Sequence, residues 1–74
     1  MRLPVLTGKE LIKILNKMGF QSMRQEGSHV FLQHSDGRTT VVPIHPREEI
    51  DRGLLNKIIK KDLEITREEF MKFV

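Results

Sequence analysis

The chain has 74 residues, with 13 lysines and arginines, 10 aspartates and glutamates, three histidines and no cysteine. This length accommodates one domain, residues 1–74, and the lack of cysteine excludes disulfides, thiolate metal sites and cysteine nucleophiles. The net charge of +3 has its positive excess in residues 1–47, which permits contact with nucleic-acid phosphates without requiring it. No signal-peptide pattern and no apolar run of about 18 residues occurs, so we expect a cytoplasmic protein without a membrane segment.

The first element is predicted to be a helix over about residues 8–18. Thr7-Gly8-Lys9-Glu10 has the form of a capping box, in which the N-cap hydroxyl and the N3 carboxylate each accept a backbone N–H. Gly19 stands where a left-handed residue ends helices. Apolar side chains on one broad face indicate the side that packs on the core: Leu11, Ile12, Ile14, Leu15 and Met18.

Alternation then predicts two strands joined by a short loop. Phe20, Ser22 and Arg24 alternate with their neighbours, and strict alternation places these three on one face. The loop is Glu26-Gly27-Ser28, after which residues 29–33 alternate again. Asp36-Gly37 favours a tight turn before the β-branched residues 39–42, and the prolines that follow end this third strand near residue 44.

Two helical segments complete the chain. Asp51 is a candidate N-cap for a helix over about residues 52–61, and Thr66-Arg67-Glu68-Glu69 is a second capping box. In the last helix Phe70 and Phe73 are expected to dock together on the core. The prediction is an α+β fold in the order α-β-β-β-α with a short C-terminal helix. Its helices would cover one face of an antiparallel sheet and leave the other open.

The middle strand decides which side chains face solvent. We assign Val30 and Leu32 to the core, which places His29 and Phe31 on the open face. The sequence contains no phosphate-binding glycine loop, nucleophile elbow or HExxH motif. His29 and His34 are five residues apart on one strand and point to opposite faces, so we expect no metal site and no other cofactor.

One reaction needs very few residues. RNA carries its own nucleophile, the 2′-hydroxyl, beside the phosphate that is cleaved. Histidine can transfer the proton near neutral pH, while a cation stabilises the phosphoryl oxygens. His29 is therefore the candidate catalytic residue, with Gly27 leaving access, Ser28 offering a hydroxyl and Phe31 a stacking surface for a base. The alternative interpretation is a solvated histidine beside an ordinary glycine loop.

The remaining basic and imidazole groups have weaker signals. Lys9, Lys13 and Lys17 recur every four residues on the solvent side of the first helix, where they either bind RNA electrostatically or only aid solubility. His34, before the Asp-Gly turn, is interpreted as a satisfied or solvated turn residue. His45 is interpreted similarly, although its loop could border the open face.

Together these features resemble the HicA family of small toxins, over about residues 6–70. The stretches that carry the resemblance occur in this order: Leu6-Thr7-Gly8-Lys9-Glu10-Leu11, Gly19-Phe20, Arg24-Gln25-Glu26-Gly27-Ser28-His29, His34-Ser35-Asp36-Gly37-Arg38, Val41-Val42-Pro43, and residues 53–70 with Thr66-Arg67-Glu68-Glu69-Phe70. The resemblance implies a double-stranded-RNA-binding-domain-like fold, which agrees with the predicted α-β-β-β-α order. It also implies an mRNA-cleaving endoribonuclease, or mRNA interferase, of a type II toxin–antitoxin system. It also implies a HicB-like antitoxin that covers His29 and the open sheet face.

The family's functional histidine lies in a Gly-Ser-His motif, which here is Gly27-Ser28-His29. Two other functions stay open at this point. One is an RNA-binding module of the same fold without catalysis, and the other is a protein-interaction module that docks a partner on the open face.

Overall fold

The computed structural model describes residues 2–74; Met1, the first residue of the predicted domain, lies outside the described residues. The elements are α1 (Gly8–Lys17), β1 (Phe20–Glu26), β2 (His29–His34), β3 (Thr39–Pro43), α2 (Arg52–Lys57), a π-helical turn (Ile58–Asp62) and α3 (Arg67–Met71). The strands form one antiparallel sheet in the order β1-β2-β3, which confirms the predicted arrangement. In the part of the chain described, no helix has the length and apolar character needed to cross a membrane.

Both predicted capping boxes are present. The Glu10 amide donates to the Thr7 hydroxyl at 3.3 Å, and the Thr7 amide donates to the Glu10 carboxylate at 2.9 Å. This backbone hydrogen bond holds the pKa of the Glu10 carboxyl below its ordinary value. Thr66 and Glu69 make the same pair of contacts at the start of α3. α1 ends as expected, with Gly19 in the left-handed region at φ 103°.

The core lies between the helices and one face of the sheet. Val30 and Leu32 of β2 are buried, as predicted, while His29 on the other face is exposed. The buried apolar side chains form one cluster: Leu3, Leu6, Leu11, Ile14, Leu15, Phe20, Val30, Leu32, Val42, Leu55, Ile58, Ile59, Leu63 and Phe70. α1 packs against β1 and β3 from the core side, so no helix covers the second face of the sheet.

Strict alternation in β1 was the wrong prediction. Ser22 pairs with Leu32 but Arg24 pairs with Phe31, so the register shifts by one residue at Met23. Such a β-bulge puts two residues opposite one and moves every later side chain to the other face. Arg24 therefore lies on the open face beside Phe31, and not on the face of Phe20.

The C-terminal third differs from the sequence prediction in two places. The predicted helix over residues 52–61 is α-helical only to Lys57, and the Leu63 amide then reaches back five residues to the Ile58 carbonyl at 2.8 Å. Phe70 is fully buried as expected, but Phe73 is 36% exposed. α3 ends at Met71, so Phe73 follows the helix and does not continue its core-facing side.

Candidate active site

The loop between β1 and β2 is a two-residue turn made by Gly27 and Ser28. Gly27 has φ 60°, and no atom lies within 4 Å of the place that a Cβ would occupy. The backbone conformation thus favours glycine here, and the missing side chain leaves open space beside the turn. The turn is anchored on both sides, since Gln25 donates to the Gly27 carbonyl at 2.9 Å and the Ile44 amide to the Ser28 carbonyl at 2.6 Å.

His29 follows this turn at the start of β2. It pairs with Glu26 of β1 and with Pro43 of β3, so it lies in the central strand, at the end of the sheet next to the Gly27-Ser28 turn. Its side chain is exposed. Unlike His34 and His45, it has no hydrogen-bond or ion-pair partner among residues 2–74. Both nitrogens of the His29 imidazole are therefore available to an external molecule.

Arg24, Glu26, His29 and Phe31 form a two-by-two block on the open face, which we call the open-face quartet. Arg24 pairs with Phe31 and Glu26 with His29, and directly opposed residues on one sheet face have Cβ atoms about 5 Å apart. The Arg24 guanidinium lies 4.4 Å from the centroid of the Phe31 ring, and its Nε is 3.0 Å from Glu26 Oε2. The quartet thus combines a proton-transfer group, a cation, a carboxylate and an aromatic ring.

Sequence reasoning did not identify Arg24 or Glu26 as site residues. Arg24 is brought to the open face by the bulge at Met23, and nothing in the residue spacing marks a bulge. Glu26 and His29 flank the two-residue Gly27-Ser28 turn, so a hairpin at this turn predicts that they are paired. This pairing could have identified Glu26 from the sequence.

A groove of about 420 Å³ continues from the quartet along the open face. Its lining residues come from all three strands: Met23, Arg24, Phe31, Leu32, Gln33, Thr39, Thr40 and Val41. Met23 is 60% and Val41 37% exposed, so apolar surface borders Phe31 on both sides. The groove offers stacking and apolar contact next to the exposed imidazole.

The other two histidines have different surroundings. In His34, Nδ1 accepts the Asp36 amide at 3.1 Å and Nε2 lies 3.2 Å from the Met18 carbonyl, to which it donates. Its ring also packs edge-on against Phe20, at 5.1 Å between centroids. His34 is therefore a satisfied structural residue, as interpreted from sequence.

His45 lies in the loop after β3, half exposed, with Nδ1 3.8 Å from a Glu48 oxygen. The three histidines do not converge. Within residues 2–74, no three His, Asp or Glu side chains come together as a metal site would require.

The lysines of α1 lie on the helical side of the sheet, away from the quartet. Lys9, Lys13 and Lys17 are all exposed. Lys9 differs from the other two because the start of α1 contacts the end of β3: a Cβ on Gly8 would meet Pro43 and Ile44. Lys9 is consequently at the same end of the molecule as the Gly27-Ser28 turn, whereas the other two lysines lead away from it.

Comparison with known proteins gives one positive result. The family model described as the HicA toxin of bacterial toxin-antitoxin matches residues 8–65, a span that runs from the start of α1 past the π-helical turn. A search of curated protein sequences returned no match. The matched span contains the whole sheet, the Gly27-Ser28 turn and the open-face quartet. The chain belongs to the HicA family, the toxins of bacterial toxin–antitoxin systems.

Proposed function

We propose that this toxin is a metal-independent endoribonuclease that cleaves mRNA, with His29 as the residue that transfers protons. The observation that carries the proposal is the exposed imidazole of His29, without a partner in residues 2–74, beside an arginine on an open sheet face. Family membership supports the toxin role, and the chemistry of the quartet supports RNA as the substrate.

The reaction uses the nucleophile that RNA supplies. The 2′-oxygen attacks the adjacent phosphorus and loses its proton, the bond from phosphorus to the 5′-oxygen breaks, and the departing oxygen gains a proton. The products are a 2′,3′-cyclic phosphate and a 5′-hydroxyl. His29 moves a proton in this step, and a group of this kind contributes about 10²–10⁴-fold to a rate.

Neighbouring residues bind and stabilise the substrate in this proposal. Arg24 donates to the phosphoryl oxygens as negative charge accumulates on them, replacing its contact with Glu26. The stacked pair of Arg24 and Phe31 presents a flat surface for a base. Ser28 offers its hydroxyl to a phosphate oxygen, and Gly27 leaves the approach unobstructed. Lys13 and Lys17, on the helical side, contribute only long-range attraction.

The test is cleavage of a fluorescent RNA and of a matched strand with 2′-deoxyribose at the nucleotide whose 2′-oxygen would attack. We expect cleavage of the RNA with EDTA present, products that end in 2′,3′-cyclic phosphate, and no cleavage at the deoxy position. Cutting at that position would contradict the mechanism. RNA that is bound but never cut would instead identify a non-catalytic RNA-binding module.

We further propose that a HicB-like antitoxin covers His29 and the open sheet face in the cytoplasm, where mRNA is the target. The apolar side chains of Met23 and Val41 support this, because exposed apolar groups around a site favour a protein partner. The complex with the antitoxin is expected to leave RNA intact and to protect the β2 surface residues from chemical labelling. A complex that cleaves RNA as fast as the isolated toxin would contradict this placement.

A further inference from the structure

A second surface pocket lies at the same end of the molecule as His29, between the start of α1 and the loop after β3. Its volume is about 260 Å³, and it is lined by Thr7, Lys9, Ile44, His45, Pro46 and Arg47. Two of these residues are cations, one is an imidazole and none is a carboxylate. Although Ile44 and Pro46 make much of the wall apolar, its charged side chains favour an anion over a cation, and none of its residues belongs to the open-face quartet.

The cations of this pocket are not neutralised by ion pairs. Within residues 2–74, neither the Lys9 ammonium nor the Arg47 guanidinium lies within 4.0 Å of a carboxylate oxygen. The nearest acidic contact in the loop is Glu48, whose oxygen is 3.8 Å from His45 Nδ1. Lys9 and Arg47 are thus free to donate to an oxyanion, whereas the Thr7 hydroxyl already accepts the Glu10 amide as the cap of α1.

The loop places Arg47 by means of a strained backbone. Arg47 has φ 63°, in the left-handed region that non-glycine residues seldom enter. Pro46 precedes it, and the Glu48 amide closes the turn on the His45 carbonyl at 3.0 Å. This geometry sets the side chain of Arg47 at the pocket wall.

The pocket is linked directly to the Gly27-Ser28-His29 motif. Ile44 lines the pocket and donates its amide to the Ser28 carbonyl, while Pro43 is the β3 partner of His29. The motif and the pocket are therefore on two sides of the same strand end.

We propose that Lys9, His45 and Arg47 bind a backbone phosphate of the RNA adjacent to the one that is cleaved. The inference rests on the proposed ribonuclease function for its ligand and adds a binding subsite outside the open face. It gives Lys9 a direct contact with RNA, which the other lysines of α1 do not make. It also gives His45 a role in binding and not in proton transfer.

The experiment measures the affinity of fluorescent single-stranded RNA by anisotropy at several salt concentrations, in a His29→Ala background that slows its cleavage. Lys9→Gln with Arg47→Gln should raise Kd at least about tenfold at low salt. The slope of log Kd against log salt should fall by about 0.7, the contribution of one phosphate contact on a single strand, because the two residues bind the same phosphate. Both residues are exposed, so folding should be unaffected, as thermal unfolding would verify.

The matched control is Lys60→Gln with Arg67→Gln. These residues are also a lysine and an arginine lining a surface pocket, of about 410 Å³, which is formed by the π-helical turn and the start of α3. We expect less than a twofold change in Kd from this pair. If both double variants lose the same RNA affinity, the subsite is wrong and the lysines and arginines attract RNA only nonspecifically. This conclusion does not depend on whether the parent protein cleaves RNA.

The two proposals fail in different ways. If the wild-type protein cleaves RNA but the Lys9 and Arg47 changes leave Kd and its salt slope unaltered, the subsite is wrong and the ribonuclease assignment stands. If the wild-type protein neither binds nor cleaves RNA, the function is wrong and the subsite falls with it.

Discussion

His29→Ala is expected to lower the rate of RNA cleavage by about 10²–10⁴-fold while leaving RNA affinity nearly unchanged. The substitution removes the proton-transfer group and no cation, so the scissile bond loses catalysis but the strand keeps its phosphate contacts. Initial rates on a fluorescent RNA, at equal concentrations of folded protein, provide the measurement. Because the side chain is exposed and has no partner in residues 2–74, the unfolding midpoint should stay within a few degrees of the wild type.

His34→Ala is the matched control, since it also removes an imidazole from β2. Both nitrogens of His34 are hydrogen-bonded inside the fold, so its loss should reduce the free energy of unfolding by about 1–3 kcal/mol. The rate per folded molecule should be retained. Arg24→Ala should give a third pattern, a smaller rate loss with weaker RNA binding. Cleavage by His29→Ala at the wild-type rate would exclude His29 from the chemistry.

The part of the fold that local chemistry specifies could be predicted from the sequence. Capping boxes at Thr7 and Thr66 start helices where expected, because the hydroxyl and the carboxylate that satisfy the first amides are three residues apart. The burial of Val30 and Leu32 followed from the two-residue period of a strand. The exposure of His29 on the opposite face followed from the same period.

The features that depend on tertiary packing were not predictable in this way. The bulge at Met23 reverses the face of Arg24, and a register shift of one residue has no compositional mark. The π-helical turn lets Ile58, Ile59 and Leu63 all reach the core, where burial outweighs regular α-helical hydrogen bonding. Arg24 was missed for the first of these reasons, whereas the pairing of Glu26 with His29 follows from the Gly27-Ser28 turn.

Gly8 shows the same division between local and tertiary causes. Its place at the first turn of α1 was predicted, but any residue with helical propensity fits that backbone position. The reason for glycine lies 35 residues further along the chain: a Cβ would overlap the Pro43 carbonyl oxygen and lie 2.8 Å from Ile44 Cγ2. Because Gly8 has no side chain, the start of α1 can approach the end of β3 this closely.

Gly8→Ala is therefore expected to destabilise the protein by about 3 kcal/mol, at the upper end for an added methyl group in a packed site. For a domain of this size that is a fall in Tm on the order of 10–20 °C. Gly27→Ala is the comparison, because it meets no atom within 4 Å and has only the cost of φ 60°, about 1–2 kcal/mol. Denaturant unfolding of both variants measures the difference.

The Gly8 substitution should also change the geometry of the candidate site, because the backbone connects the two. Relief of the overlap requires Pro43 and Ile44 to move, and these residues hold His29 and Ser28 by strand pairing and by the 2.6 Å hydrogen bond. Gly8→Ala should consequently slow RNA cleavage per folded molecule, although Gly8 is on the opposite side of the strand from the imidazole. A variant as stable as the wild type would show that α1 does not approach β3 this closely.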